Sequence, residues 1–183
     1  MGRKIFQLFK KNALNLINYQ ILRFSLNKFK KEIIIYDIDN TLADTASMLK
    51  SSGRLNNLLF SKLTVFPNMR KKIMNEYGAG DKILFFTVRP LLSWRTTFKW
   101  LEENFFYTKW HELFIFSTPA HKVEFICYLF NKGYQISFID DMSYNHENGE
   151  VLFFEKEISK LKNIGIEYNS YAEIIKINQA ITK

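Results

Sequence analysis

The sequence predicts an α/β protein of three layers, a parallel sheet between helices. Three observations lead there. Short apolar runs rich in β-branched and aromatic residues recur along the chain, apolar at nearly every position, as strands buried on both faces are. Segments of helical length separate these runs, where an antiparallel sheet would have tight turns. Polar side chains follow the carboxyl end of each run, the edge at which open α/β sheets bind ligands.

Ile33-Ile34-Ile35-Tyr36 is the first strand, and it runs straight into Asp37-Ile38-Asp39-Asn40-Thr41-Leu42. Two carboxylates spaced i, i+2 at one strand end are costly to gather unless a metal, a phosphoryl group or both sit with them. Residues 43–66 mix polar and apolar side chains and are too few for a separate domain. Pro67 opens a basic helix that stops near Gly78 and Gly80.

Ile83-Leu84-Phe85-Phe86 is the second strand and ends in Thr87-Val88-Arg89-Pro90. A helix follows from Leu91 to Asn104, with Leu91, Trp94, Phe98 and Leu101 on one stripe. Leu113-Phe114-Ile115-Phe116 is the third strand. Thr118 then caps a helix that has Pro119 at its first position and Gly133 as its stop. Ile136-Ser137-Phe138-Ile139 is the fourth strand and ends in Asp140-Asp141. Beyond it the pattern gives a short strand in Val151–Phe154, a helix in Glu155–Asn163 and a last strand in Ile164–Tyr168. Ser170-Tyr171-Ala172-Glu173 has the form of a capping box for a final helix. The whole is a Rossmann-like alternation of strand and helix.

The chain has 183 residues and 47% apolar composition, enough for one globular domain with a real core. Its formal net charge of +8 is unevenly placed. Residues 1–32 hold Arg3, Lys4, Lys10, Lys11, Arg23, Lys28, Lys30 and Lys31 against Glu32 alone, so residues 33–183 are nearly neutral. Two units are therefore expected: a basic helical arm, 1–32, and the α/β domain, 33–183. The arm interleaves Ile5, Phe6, Phe9, Leu14, Ile17, Ile21 and Phe24 with its lysines at roughly helical spacing. It either packs on the domain or lies on an anionic polymer or membrane surface.

Cys127 is the only cysteine, which excludes a disulfide framework and reads as a reduced core thiol. No apolar run is long enough to span a membrane. The arm lacks the continuous apolar core of a signal peptide, and Phe6 stands where a myristoylation signal needs Ser or Thr. A cytoplasmic location is expected.

The polar strand ends resemble the haloacid dehalogenase superfamily of phosphohydrolases. Its first motif, DxDx[TV], matches Asp37-Ile38-Asp39-Asn40-Thr41. Its second, a hydroxyl residue ending the next strand, matches Thr87 within the form T-x-R-P. Its third, a lysine at the start of the helix before the fourth strand, matches Lys122. Its fourth, an acidic pair ending that strand, matches Asp140-Asp141. The match spans residue 33 to about residue 148, in order. Asn40 departs from the glycine of many members, but asparagine also tolerates the left-handed backbone such a turn can need.

The resemblance implies a phosphomonoesterase acting through an aspartyl-phosphate. Asp37 would be the nucleophile and Asp39 the general acid and base. Mg²⁺ would bind the Asp37 and Asp140 side chains and the Asp39 backbone carbonyl, with Asp141 reached through water. Thr87 and Lys122 would hold the phosphoryl oxygens, and Arg89 either contacts substrate or forms a salt bridge. Lys122 also stands in the first turn of a helix, where a cation opposes the macrodipole. Short intervals between motifs leave no room for a large inserted cap, so an open site is expected.

The substrate class implied is a phosphorylated small molecule, a sugar or a nucleotide. Two alternatives remain: a polynucleotide end phosphatase, and a non-catalytic binding or scaffold protein on the same fold. Asp44 and Asn145 stand beside the motifs as secondary candidates. His111, His121 and His146 lack metal-ligand spacing and are expected at surface or core positions. Trp94, Trp100, Trp110, Phe105, Phe106 and Tyr107 are expected in the core.

Overall fold

A computed structural model describes residues 13–14, 16–22, 31–53 and 57–179 of the chain. Its centre is a five-stranded parallel sheet in the order β3-β2-β1-β4-β7. The strands are β1 (Glu32–Tyr36), β2 (Ile83–Val88), β3 (Leu113–Phe116), β4 (Gln135–Ile139) and β7 (Glu167–Asn169). β1 lies in the middle, with Ile34 opposite Ile83 on one side and Ile35 opposite Phe138 on the other.

Alternation along each strand divides the core in two, because successive side chains point to opposite faces. Tyr36, Phe85, Leu113, Ile115 and Ile139 fill one face. They pack under α4 (Pro67–Ala79), α5 (Trp94–Asn104) and α8 (Tyr171–Gln179) through Met69, Ile73, Trp100, Leu101 and Ile174. Ile33, Ile35, Leu84, Phe86, Phe114, Phe116 and Phe138 fill the other face. Those meet Val123, Phe125, Ile126 and Leu129 of α6 (Pro119–Asn131) and Leu161 of α7 (Glu155–Asn163). Burial on both faces explains why these strands read as unbroken apolar runs.

The helix signals act as the sequence indicates. Pro67 and Pro119 each occupy an opening position, and the Thr118 hydroxyl accepts from the His121 N–H at 3.2 Å. α4 ends at Gly80, whose φ of 80° is the left-handed conformation glycine adopts without strain.

Several boundaries differ from expectation. The last strand begins at Glu167, because Gly165, at φ 77°, makes the turn out of α7. Residues 43–66 contain two short helices, α2 (Thr45–Ser52) and α3 (Asn57–Phe60). Leu91–Ser93 forms a 3₁₀ turn ahead of α5. The short strand near residue 152, β6 (Leu152–Phe153), pairs antiparallel with β5 (Ser143–Tyr144), outside the main sheet. Cys127 is half-buried at the margin of the second core cluster, where burial pushes its thiol pKa up.

Of the aromatics expected inside, Trp100 and Phe105 are fully buried and Trp94 partly so. Phe106, Tyr107 and Trp110 are 69%, 63% and 49% exposed. Phe105 fills the core as it ends α5, so the turn that follows carries its neighbours outward.

In the arm, the described residues within 13–22 are helical; this segment is α1. Leu14, Asn18 and Leu22 share one face at i, i+4, i+8 spacing and are buried. The Asn18 side-chain amide donates to the Ile115 carbonyl at 2.8 Å, and Tyr19 packs on Phe125 and Tyr128. Residues 1–12 and 23–30, with all the arm's basic side chains except Lys31, lie outside the described residues. Among the described residues no helix is long and apolar enough to cross a membrane.

Candidate active site

The site forms because β1 and β4 are neighbours. The Asp37 N–H, one residue beyond β1, donates to the Ile139 carbonyl at the end of β4, at 2.9 Å. That bond sets Asp37 beside Asp140, two residues 103 positions apart in the chain. Lys122 enters from the first turn of α6, only 3% exposed. Its ammonium lies 2.7 Å from Asp37 Oδ1 and 2.5 Å from Asp140 Oδ2. The second contact is an ion pair only, since Asp140 Oδ2 is buried and has no well-directed hydrogen bond. Asp140 Oδ1 accepts from the Met142 N–H at 2.7 Å.

Asp37, Asp140 and Asp141 form a cluster in which one oxygen from each lies within 4.8 Å of the others. Three buried carboxylates face one buried ammonium, so the ionised cluster lacks cationic charge. Burial is the main influence on Asp37, raising its pKa well above the carboxylate range. The Lys122 ammonium opposes this, and Asp140, Asp141 and Asp39 reinforce it. Asp140 is pushed up to about 6, again mainly by burial, with Lys122 opposing and Asp141 adding. Burial disfavours charge on Lys122, but the carboxylates of Asp140 and Asp37 outweigh it and hold its pKa above the ordinary lysine value. A cluster short of positive charge, with an under-satisfied buried oxygen, suits a divalent metal ion.

Asp39 points to a different set of partners. Arg89 grips it with Nη2 on Oδ1 at 2.6 Å and Nε on Oδ2 at 2.8 Å. The Thr87 hydroxyl donates to Oδ2 at 3.0 Å. Arg89 is buried, with Nη1 donating to Thr97 Oγ1 at 3.0 Å and its guanidinium 4.2 Å from the centre of the Phe60 ring. Thr87 and Arg89 thus reach the site through Asp39.

Asn40 adopts the left-handed conformation, φ 57°. Its side-chain oxygen accepts from Thr45 Oγ1 at 2.7 Å and the Ala46 N–H at 2.8 Å, which ties the turn to α2. Asp44 caps α2 by accepting from the Ser47 N–H at 3.0 Å. Asn145, at φ 68°, belongs to the turn between β5 and β6.

Sequence reasoning missed three residues around Asp141. Its N–H donates to Thr41 Oγ1 at 3.2 Å, its Oδ2 accepts from Ser143 Oγ at 2.5 Å, and His146 Nε2 lies 3.0 Å from that same oxygen. Thr41 stands in the first motif, so it could have been read there. No motif marks Ser143, which reaches Asp141 from two residues on, or His146, which reaches it because the chain turns back after Tyr144. A cavity of about 240 Å³ opens onto Asp37, Asp39, Lys122, Asp140 and Asp141. Tyr144 and Phe154 wall the same cavity, their ring centroids 4.9 Å apart.

No protein-family model matches the chain, and no curated protein matches it significantly. Solved structures do. The class C acid phosphatase from Bacillus anthracis, and the same protein with tungstate bound, each align at a TM-score of 0.52 and 17% identity. Each alignment covers 95% of this chain and 91% of that one. What the chain shares with that phosphatase, at this level of identity, is its fold.

Proposed function

We propose that this chain is a Mg²⁺-dependent phosphomonoester hydrolase of the haloacid dehalogenase type. One observation carries the reading: Asp37, Lys122 and Asp140, drawn from three separate elements, meet buried and within ion-pair distance at one cavity. A structural salt bridge needs one carboxylate, whereas this cluster gathers three. The phosphatase-like fold supports the reading, and so does the tungstate of the similar protein, a tetrahedral oxyanion like phosphate.

In the proposed reaction an Asp37 carboxylate oxygen attacks phosphorus. The bond from phosphorus to the leaving oxygen breaks, and Asp39 gives that oxygen its proton. Water then attacks phosphorus and Asp39 takes its proton. The bond between Asp37 and phosphorus breaks, which restores the carboxylate. Lys122 steadies the phosphoryl charge. The proposed contact of Thr87 with a phosphoryl oxygen competes with its hydrogen bond to Asp39. Arg89 engages both Asp39 oxygens as well, so in the acid–base steps one oxygen exchanges its guanidinium contact for the leaving oxygen or water while the other keeps Asp39 in place.

Asp37, Asp140 and the Asp39 carbonyl, with Asp141 beside them, would hold the ion, an all-oxygen set that suits Mg²⁺. When bound, Mg²⁺ neutralises carboxylate and phosphoryl charge and brings the two anions together. Between the two substrate classes, the Tyr144–Phe154 wall favours a nucleotide over a bare sugar phosphate, because a planar base can stack there.

The test is phosphate release from sugar phosphates, nucleoside monophosphates and a 5′-phosphorylated oligonucleotide, with Mg²⁺ and with EDTA. Activity is expected with Mg²⁺ and is lost in Asp37→Asn. Turnover that survives either EDTA or Asp37→Asn ends the assignment.

A further inference from the structure

We infer that His146 is a positioning residue that fixes Asp141 for the metal through an Nε2–H donor, an inference that rests on the metal site proposed above. The argument is one of donors and acceptors. An ionised carboxylate only accepts. Asp141 Oδ2 receives the single hydroxyl proton of Ser143 at 2.5 Å. His146 Nε2 lies 2.6 Å from that hydroxyl oxygen and 3.0 Å from Asp141 Oδ2. With the serine proton spent on Asp141, both of those oxygens present lone pairs to the ring. Nε2 must therefore carry a hydrogen, and His146 donates.

The placement is built. The His146 side chain is 10% exposed, and Asn145, at φ 68°, turns the chain so that the ring comes back under Asp141. Tyr171 of α8 flanks the ring at 5.7 Å between centroids. With Oδ2 held by Ser143 and His146, Asp141 Oδ1 keeps one long contact among the described residues, Thr41 Oγ1 at 3.5 Å. Oδ1 is thus the oxygen left for a cation shared with Asp37 and Asp140. Partners of this kind, behind a ligand, set its orientation and commonly change metal affinity by roughly 10–100-fold when removed.

The chemistry separates two substitutions. A glutamine amide nitrogen can stand where Nε2 stands, whereas an asparagine amide stands near Nδ1 and falls short. The experiment uses the full chain as wild type, His146→Gln, His146→Asn and His146→Leu. Mg²⁺ affinity is read by calorimetry and by the rise in Tm on adding Mg²⁺, with Tm in EDTA as the check on folding. His146→Gln is expected to bind Mg²⁺ within a few-fold of wild type. His146→Asn and His146→Leu are expected to bind roughly 10–100-fold more weakly with Tm in EDTA little changed, and kcat is expected to return at saturating Mg²⁺. Equal Mg²⁺ affinity in all four proteins overturns the inference and leaves the metal site standing, as does a His146→Gln protein as weak as His146→Leu. A wild type that binds no Mg²⁺ overturns the metal site and the inference together.

Discussion

Arg89 holds Asp39 by both oxygens at once, at 2.6 and 2.8 Å, in the planar two-pronged contact that guanidinium makes with carboxylate. Thr97 and the Phe60 ring fix the guanidinium in turn. Asp39 is therefore placed by the protein, and the acid–base role proposed for it depends on that placement. Arg89→Met is expected to lower kcat by roughly 100-fold on an alkyl phosphate, whose leaving oxygen needs a proton. The loss is smaller on p-nitrophenyl phosphate, whose leaving group departs as a stable anion. Equal losses on the two substrates would show that Arg89 serves folding or binding instead.

The raised pKa of Asp140 gives a pH dependence of stability with a definite sign. Its folded value is about 6, above the unfolded value of about 3.9. Between these two values the folded state holds more protons than the unfolded state. The contribution of this group to stability therefore falls as pH rises through that window. A divalent metal would bind the ionised form of the cluster, so on the proposed reading the gain in Tm on adding Mg²⁺ should grow from pH 5 to pH 7.5. Thermal melts with Mg²⁺ and with EDTA measure it, and Asp140→Asn should flatten the trend. A gain of the same size at both pH values counts against a metal on Asp140.

Lys122 is the one ammonium within ion-pair distance of Asp37 and Asp140 among the described residues. Removing one partner of a buried ion pair typically costs about 3–5 kcal/mol, because the other charge stays buried. Lys122→Met is expected to cost this order of stability in EDTA, by urea unfolding, and less in Mg²⁺. Adding Asp140→Asn to it should recover part of the loss. A Lys122→Met protein as stable as wild type in EDTA would mean that the carboxylates are already protonated there.

Tyr144 lines the cavity and is 45% exposed, so its ring is open to contact with a bound base. Tyr144→Ala should raise KM for a nucleoside monophosphate by an amount equal to about 1–3 kcal/mol, the usual worth of a base–aromatic stack. It should leave KM for ribose 5-phosphate unchanged, and Tyr144→Phe should behave as wild type. A parallel rise for both substrates would remove the stacking role.

Leu22 is buried in the core cluster that holds Phe86 of β2 and Phe125 of α6, whereas Leu16 on the other face of α1 is exposed. Leu22→Ala is expected to cost about 2–5 kcal/mol and Leu16→Ala close to nothing, by chemical denaturation. A test of nucleic-acid or membrane contact should accordingly delete residues 1–12 alone, because deletion of 1–32 removes α1 from the core as well.

Much of the architecture was legible because its signals are local. Both-face burial makes Ile33–Tyr36 and Ile83–Phe86 apolar throughout, and Thr118-Pro119 marks a helix start whatever lies around it. Residues 43–66 and 143–154 were less legible, since α2, α3, β5 and β6 are short elements placed by contacts outside their own residues. Phe106, Tyr107 and Trp110 misled for the same reason: composition suggests burial, but the turn after α5 decides which ring faces inward.

The sequence by itself determined which chemistry the chain carries to the sheet edge: two acids after the first strand, a hydroxyl near the end of the second, a lysine on the third crossover and two acids after the fourth. Each follows from a strand or helix end that neighbouring residues specify. Only the tertiary structure decided how these groups pair, that Lys122 takes Asp37 and Asp140 while Arg89 and Thr87 take Asp39, and that His146 stands behind Asp141. Those pairings depend on distances of a few ångströms between residues 18 to 85 positions apart, or on a turn that folds back, and no periodicity records them.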